Sequence, residues 1–362
     1  MHLSKLQING FRNINNCSLD LHQRINIITG SNGAGKTSLL EAIYFLSMGR
    51  SFKSQQLNRI TSYDKGKFTI YSELIHDNKK QTLSIYKQQH GKGIIKLNHS
   101  QEKNHFQLTK AMPILLFNPE SIAILTSGAK SKRKIIDWGA FYNEQSFHKN
   151  WQLITRLTKQ RNAALKQGYT YDMMFAWDKE LSKISAEIDI QRKKYFNNLL
   201  PIINSFLLEI PEMPSITIRY NRGWDSSKEL SEVLSKSFNY DKKTGNSHFG
   251  AHRADLIITS NNIPIQDSLS RGQQKLLMAI IKLSQGILFE KEHLFPCIYL
   301  IDDITSEFDS SFLKIFINKI LISKSQVFIS TLSKDFIKQQ IPKSNYKQFQ
   351  IIDGKIMQES IY

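Results

Sequence analysis

Three short segments of this chain of 362 residues carry residue types and spacings suited to phosphoryl chemistry. The first is Gly30-Ser31-Asn32-Gly33-Ala34-Gly35-Lys36-Thr37, which matches the full phosphate-loop pattern and continues into Ser38. Its glycines let backbone N–H groups approach phosphates, and a helix starting there adds positive potential. Lys36 is expected to reach the β- and γ-phosphates, and Thr37 to ligate Mg²⁺. By itself such a loop says only that a nucleoside triphosphate binds.

The second segment is the apolar run Cys297-Ile-Tyr-Leu-Ile301, which ends in Asp302-Asp303. A strand there delivers Asp302 to a sheet edge, where its carboxylate can hold Mg²⁺ opposite Thr37. Asp303 is expected to polarise the attacking water; a turn or helix cap is the plain alternative, since aspartate favours such positions. ATPases of the ABC type usually carry glutamate there. Aspartate is one methylene shorter, and a misplacement on the order of 1 Å can cost about a hundredfold in rate, so slow turnover is expected.

The third segment, Leu269-Ser270-Arg271-Gly272-Gln273-Gln274, decides the class. Ser270-x-x-Gln273 is a capping-box pattern ahead of an apolar helix. An exposed, capped N-terminus bearing Gly272 is also an anion site. Placed before the paired aspartates and Ser306-Glu-Phe-Asp309, the segment marks an ATPase of the ABC type. In that arrangement Ser270, Gly272 and Gln273 of one copy face the γ-phosphate of ATP held by another. Lys36, Asp303 and Ser270 are therefore the expected catalytic groups.

The elements that must position these residues read as an α/β fold. Residues 3–9 and Ile25–Thr29 read as strands, the second feeding the phosphate loop and then a helix over 37–46 that stops near Gly49. Alternation from 68 to 97 suggests an antiparallel sheet. From 147 to 208 two helices broken at Gly168 form an antiparallel hairpin. Trp151, Ile154, Leu157 and Leu165 mark the apolar stripe of the first helix. Trp177, Leu181, Ile184, Ile188, Gln191, Tyr195, Leu199 and Ile202 mark that of the second. A short hairpin around Asn261-Asn262, a helix over 273–289, strands at 297–301 and 327–330 and a helix at about 310–322 complete the pattern. The expected organisation is one parallel-sheet ATPase lobe built from residues 1–118 and 290–362, with a mostly helical signature lobe over 119–289.

Composition narrows the partners. With 40% hydrophobic and 22% charged residues the chain reads as globular. No run approaches the roughly 18 apolar residues of a membrane span, and the first residues lack the apolar core of a secretory signal. Two cysteines are too few for a disulfide framework or a zinc site. A cytoplasmic protein with no membrane partner is expected. The formal charge of +18 favours a polyanion, while a generally lysine-rich surface is the bland alternative.

Taken in order, Ile8-Asn-Gly-Phe-Arg-Asn13, the phosphate loop with Leu-Glu-Ala-Ile43, Gly49-Arg-Ser-Phe52, Phe117-Asn-Pro-Glu120, Asp137-Trp138, Lys159-Gln-Arg-Asn-Ala163, Gly250-Ala-His-Arg253, the signature and Leu300-Ile-Asp-Asp303 resemble the RecF family of bacterial recombination mediators over essentially the whole chain. The resemblance implies an ABC/SMC-like ATPase head with a short helical arm. It implies ATP-dependent dimerisation, weak DNA-stimulated hydrolysis, and binding to gapped DNA at junctions of double and single strands. It further implies cooperation with RecO and RecR in placing RecA, and it puts Arg12 near the nucleotide.

Some positions depart from the family pattern. Ala251 and Ala254 stand where the family often has proline and an acid, and Phe308 replaces a leucine. The histidine that ABC transporters carry after the second aspartate's strand is missing, with Thr331, just past 327–330, a candidate polar substitute. His252 and Arg253 fit either a nucleotide- or dimer-linked role or a core-edge role. The nucleotide-binding subunit of a transporter is the alternative function; the helical insertion, the charge and the missing histidine weigh against it.

Overall fold

The computed structural model describes all residues except 55, 63–65, 90, 92, 304–309, 333–340, 343–344 and 360–362, and leaves out the side chains of 57, 310, 311 and 359. The Ser306–Asp309 segment therefore lies outside the described residues. The chain divides into two compact units, one from Met1–Ser121 and Phe289–Tyr362, the other from Ile122–Leu288.

The first unit contains two six-stranded sheets. One has the order β2-β1-β4-β5-β6-β7 and is antiparallel: β1 (His2–Phe11), β2 (Ile14–Asp20), β4 (Lys67–His76), β5 (Lys79–Gln88), β6 (Ile94–Leu97) and β7 (Ser100–Gln101). The other has the order β15-β14-β3-β13-β12-β8. Here β3 (Ile25–Thr29), β8 (Ile114–Phe117), β12 (Ile298–Ile301), β13 (Gln326–Thr331) and β14 (Tyr346–Ile352) run parallel. Only β15 (Lys355–Glu359) is antiparallel. All five residues of β3 and all four of β12 are buried, so neither alternates; β12 is apolar throughout, while β3 also buries Asn26 and Thr29.

Helices α1 (Lys36–Met48) and α2 (Phe106–Ala111) belong to this unit. One apolar cluster joins both sheets to α1, including Leu6, Ile8 and Phe11 of β1, Ile70 of β4, Leu39 and Phe45 of α1, and Ile28, Leu300, Phe328 and Phe349 of the parallel sheet. The antiparallel sheet thereby braces the helix that carries the phosphate loop.

The second unit holds α3 (Ala123–Thr126), α4 (Ala129–Asn143), α5 (Phe147–Lys166), α6 (Tyr171–Leu208), α7 (Leu230–Thr244) and α8 (Ile265–Ser268). Three strands accompany them, β9 (Ile216–Asn221), β10 (Asp255–Ser260) and β11 (Ile263–Pro264), in the order β11-β10-β9. The chain returns to the first unit near the end of α9 (Arg271–Glu292), and that unit also holds α10 (Ser310–Ile322).

The hairpin α5–α6 forms as its apolar spacing dictates, but periodicity alone does not place every stripe residue: Trp177 and Gln191 are only half-buried. Trp151 is exposed, and Asn150 and Arg161 complete the buried face of α5 instead. Near the end of α6 the buried residue is Ile203, with Ile202 only half-buried. Arg161 is fully buried because its charge is matched: Nε and Nη1 reach Asp178 and Asp241 at 2.7 Å each, and Nη1 also donates to Ser247 Oγ at 3.0 Å. Nearby, Arg192 donates to Asp137 at 2.7 Å and to the Ala251 carbonyl at 2.6 Å.

Candidate nucleotide site and signature helix

The parallel sheet gathers the first set of site residues along one edge. Because β13 lies between β3 and β12, the C-terminal ends of these three strands place Gly30, Ser330 and Asp302 side by side. Ligands of open α/β sheets bind outside that edge.

The phosphate loop has the backbone its glycines allow. Gly30, Gly33 and Gly35 take φ of 154°, 80° and 120°. A Cβ on Gly30 would come within 2.4 Å of the Ile351 carbonyl oxygen, and one on Gly35 within 2.9 Å of the Asn13 amide. Helix α1 opens at Gly35 without any side-chain cap, so its first N–H groups point into the loop. Ser31, Asn32 and Gly33 form an exposed rim, Ala34 and Gly35 are buried, and Thr37 and Ser38 are half-buried. Lys36 Nζ donates to the Gly30 and Ser31 carbonyls at 2.7 and 3.0 Å. Burial pulls the Lys36 ammonium below its ordinary pKa, with Asp303 and Asp302 pulling it back up.

Thr37 Oγ1 donates to Asp302 Oδ1 at 3.0 Å, bringing together two residues 265 apart in sequence. Ser330 Oγ donates to the same carboxylate oxygen at 2.8 Å and accepts from the Asp303 N–H at 2.8 Å. Asp303 sits at φ 55°, a left-handed turn conformation that aspartate tolerates. Ser330 thus fixes both aspartates, a role the sequence does not advertise. Thr331 is the last residue of β13 rather than a residue beyond it, and it is fully buried.

Arg12 and Asn13 form the two-residue turn between β1 and β2. Arg12, at φ 53°, donates from Nε and Nη2 to both Glu41 oxygens at 2.7 and 2.6 Å, and from Nη1 to the Arg59 carbonyl at 2.8 Å. Ser51 Oγ also donates to Glu41. That network satisfies a fully buried Glu41 on α1. Asn13, not Arg12, touches the loop, donating from Nδ2 to the Ala34 carbonyl at 3.0 Å. Gly354 N–H donates to the same carbonyl at 2.9 Å. The sequence signal for Asn13 and Glu41 was their presence inside the Ile8–Asn13 and Leu-Glu-Ala-Ile43 segments.

The second set lies in the other unit. Ser270 and Gly272 are exposed at the start of the 22-residue α9. The capping box is reciprocal: Gln273 N–H donates to Ser270 Oγ at 3.2 Å, and Ser270 N–H donates to Gln273 Oε1 at 3.0 Å. The Ser270 hydroxyl acts as acceptor in this bond, so capping does not use its proton. His252 and Arg253 turn inward within the unit. Arg253 donates to the Ser247 carbonyl at 2.9 and 2.7 Å, and His252 Nε2 lies 3.1 Å from it. Burial pushes His252 down to about 4.

Thr37 and Asp302 offer hard oxygen donors a hydrogen-bond length apart, the donor type Mg²⁺ takes alongside phosphate oxygens. No cluster of three or more His, Cys, Asp or Glu is found among the described residues.

The family model described as the RecF/RecN/SMC N terminal domain matches residues 2–355. A DNA replication and repair protein RecF from Francisella tularensis subsp. mediasiatica is 44% identical over 346 residues, covering 96% of this chain and 99% of its own length. The chain belongs to the RecF family. Among solved structures, the recombination mediator protein RecF-ATP in the RecFOR pathway superposes with a TM-score of 0.88 at 26% identity, covering 99% of each chain. An SMC head bound to the C-winged helix domain of ScpA shares the fold, at TM-score 0.61 and 14% identity over 100% of this chain and 98% of that one. The RecF fold is thus an ABC/SMC-type ATPase head, α/β in class, carrying a helical hairpin. No described helix is long and apolar enough to cross a membrane.

Proposed function

We propose that this RecF-family chain is a DNA replication and repair ATPase in which ATP joins two copies of the protein around DNA. The observation that carries the reading is the pairing of a complete phosphate loop and its two aspartates with an exposed, capped signature helix bearing Ser270. The loop Gly30–Ser38 wraps the phosphates, and Lys36 exchanges its two carbonyl acceptors for phosphate oxygens. Thr37 and Asp302 hold Mg²⁺, which when bound neutralises charge developing on the phosphoryl oxygens. Asp303, fixed by Ser330, orients the attacking water. Ser270, Gly272 and Gln273 of the second copy donate to the γ-phosphate, so hydrolysis removes the group that bridges the dimer. Arg12 acts at one remove, clamping α1 through Glu41.

On this reading the hydrolysis is slow, stimulated by DNA, and serves as timing while the output is binding. The preferred substrate is gapped DNA with a junction of double and single strands, and the work is done in the cytoplasm with RecO and RecR to load RecA. The relatives' names, a replication and repair protein and a recombination mediator of the RecFOR pathway, support that assignment. DNA affinity with ATP and with ADP, measured across salt, tests it. Tight ATP-dependent binding with a steep negative log–log salt slope is expected. A flat slope, or no binding with ATP, removes the reading.

A further inference from the structure

One end of the helical hairpin carries more aromatic surface than its packing uses. Ala164, Leu165 and Met174 form a small buried core there, with Trp177 and Phe238 packed on it. Tyr169 stacks on Trp177 with centroids 6.2 Å apart and planes at 29°. Tyr171 meets Phe238 at 5.5 Å and Phe175 at 6.3 Å. Even so, 54% of Phe175 and 36% of Tyr169 stay exposed.

Cations frame these rings. Lys242 Nζ lies 5.8 Å from the Phe238 ring centroid, and exposed Lys243 follows it. The stem of Lys166, also exposed, lies over Gly245, where an added Cβ would fall within 2.8 Å of it. The last turns of α5 and α7 account for the lysines through their negative ends. They do not account for the rings left in water beside them.

Protein-binding surfaces are enriched in aromatics but depleted in lysine. Flat rings interleaved with flexible cations are instead how proteins hold single strands: bases of any sequence stack on the rings while the cations follow the phosphates. We propose that this end of the hairpin is a platform for single-stranded DNA. It lies on the unit that does not contain the phosphate loop, and it works without ATP. The proposal adds a second DNA contact to the function read above and stands on separate residues.

The test uses the full chain without nucleotide, titrated with fluorescent oligo(dT) and with an abasic oligomer of equal length. Oligo(dT) is expected to bind several-fold more tightly than the abasic strand. Phe175→Ala with Tyr169→Ala should weaken oligo(dT) about fivefold or more. Lys242→Glu with Lys243→Glu should weaken both ligands, and bromodeoxyuridine in the oligomer should cross-link within residues 166–177. Equal affinity for the two oligomers, an aromatic double variant that binds like wild type, or cross-links confined elsewhere overturns the platform. So does a variant that keeps oligo(dT) binding but loses binding to phosphatidylserine vesicles, since the surface would then be a lipid contact. ATP-dependent duplex binding is read in parallel: its absence with oligo(dT) binding intact breaks the ATP-gated reading and leaves the platform standing.

Discussion

The nucleotide edge of the first unit and the buried Arg161 cluster of the second use the same kinds of residue to opposite ends. At the edge, α1 starts without a side-chain cap, and the Lys36 ammonium rests on two loop carbonyls. Those groups are held in place with hydrogen-bonding capacity to offer a phosphate. Near the turn of the helical hairpin, Arg161 is saturated by Asp178, Asp241 and Ser247, and the Ser247 carbonyl is covered by Arg253 and His252. Helix α9 falls between the two, since its N-terminus is satisfied by its own capping box yet stays exposed. A charge in a motif is therefore no guide to chemistry by itself. What matters is whether its partners belong to the chain.

That contrast can be broken most severely at Arg161. Arg161→Met leaves Asp178 and Asp241 buried without their cation, and a loss of roughly 3–5 kcal/mol is expected in urea unfolding. ATP binding under native conditions should survive; if ATP affinity falls and stability does not, the Arg161 cluster is part of the nucleotide machinery. The next largest effect is pH-linked. His252 titrates near 4 in the fold against an ordinary 6.5, so the unfolded chain takes up its proton first as pH falls. Its contribution is present above about 6.5 and is lost as pH drops towards 4. His252→Gln should flatten the acid loss of stability by roughly 3 kcal/mol across that window. A residual slope is expected from His105, which burial also pushes down to about 4. The smallest effect on stability is the most informative about α9. Aspartate caps helices about as well as serine, so Ser270→Asp should change stability by less than about 0.5 kcal/mol. Its charge should nevertheless repel the γ-phosphate and abolish ATP-driven dimerisation in light scattering. Normal dimerisation would reduce Ser270 to a helix cap.

Much of the site was legible because phosphate chemistry constrains local spacing. The strand Ile25–Thr29, the loop and α1 are contiguous, so one stretch of sequence holds both the motif and its context. The apolar strand ending in Asp302 was equally plain. Ser330 was not, because its task depends on β13 lying between β3 and β12, a sheet order with no local signal. Asn13 and Glu41 stood inside segments already singled out, but their contacts with the loop and with Arg12 are set by tertiary approach. The buried face of α5 misled periodicity for the same reason: Arg161 is buried by partners 17 and 80 residues away, while Trp151 is left outside. Helix α7 has no counterpart in the sequence pattern, as only Leu230, Leu234 and Asp241 are buried along its 15 residues.

The central claim is that the site is completed by a second copy, and mixing two inactive chains tests it directly. Lys36→Ala removes the phosphate contact but keeps Ser270; Ser270→Arg blocks the signature but keeps the phosphate loop. Neither alone should dimerise on ATP or hydrolyse it. Mixed, they can form one composite site, from the loop of the Ser270→Arg chain and the Ser270 of the Lys36→Ala chain. Recovered ATP hydrolysis in the mixture is the expected result. A mixture as inactive as its components, with both chains folded and the Ser270→Arg chain still binding ATP, would contradict the account.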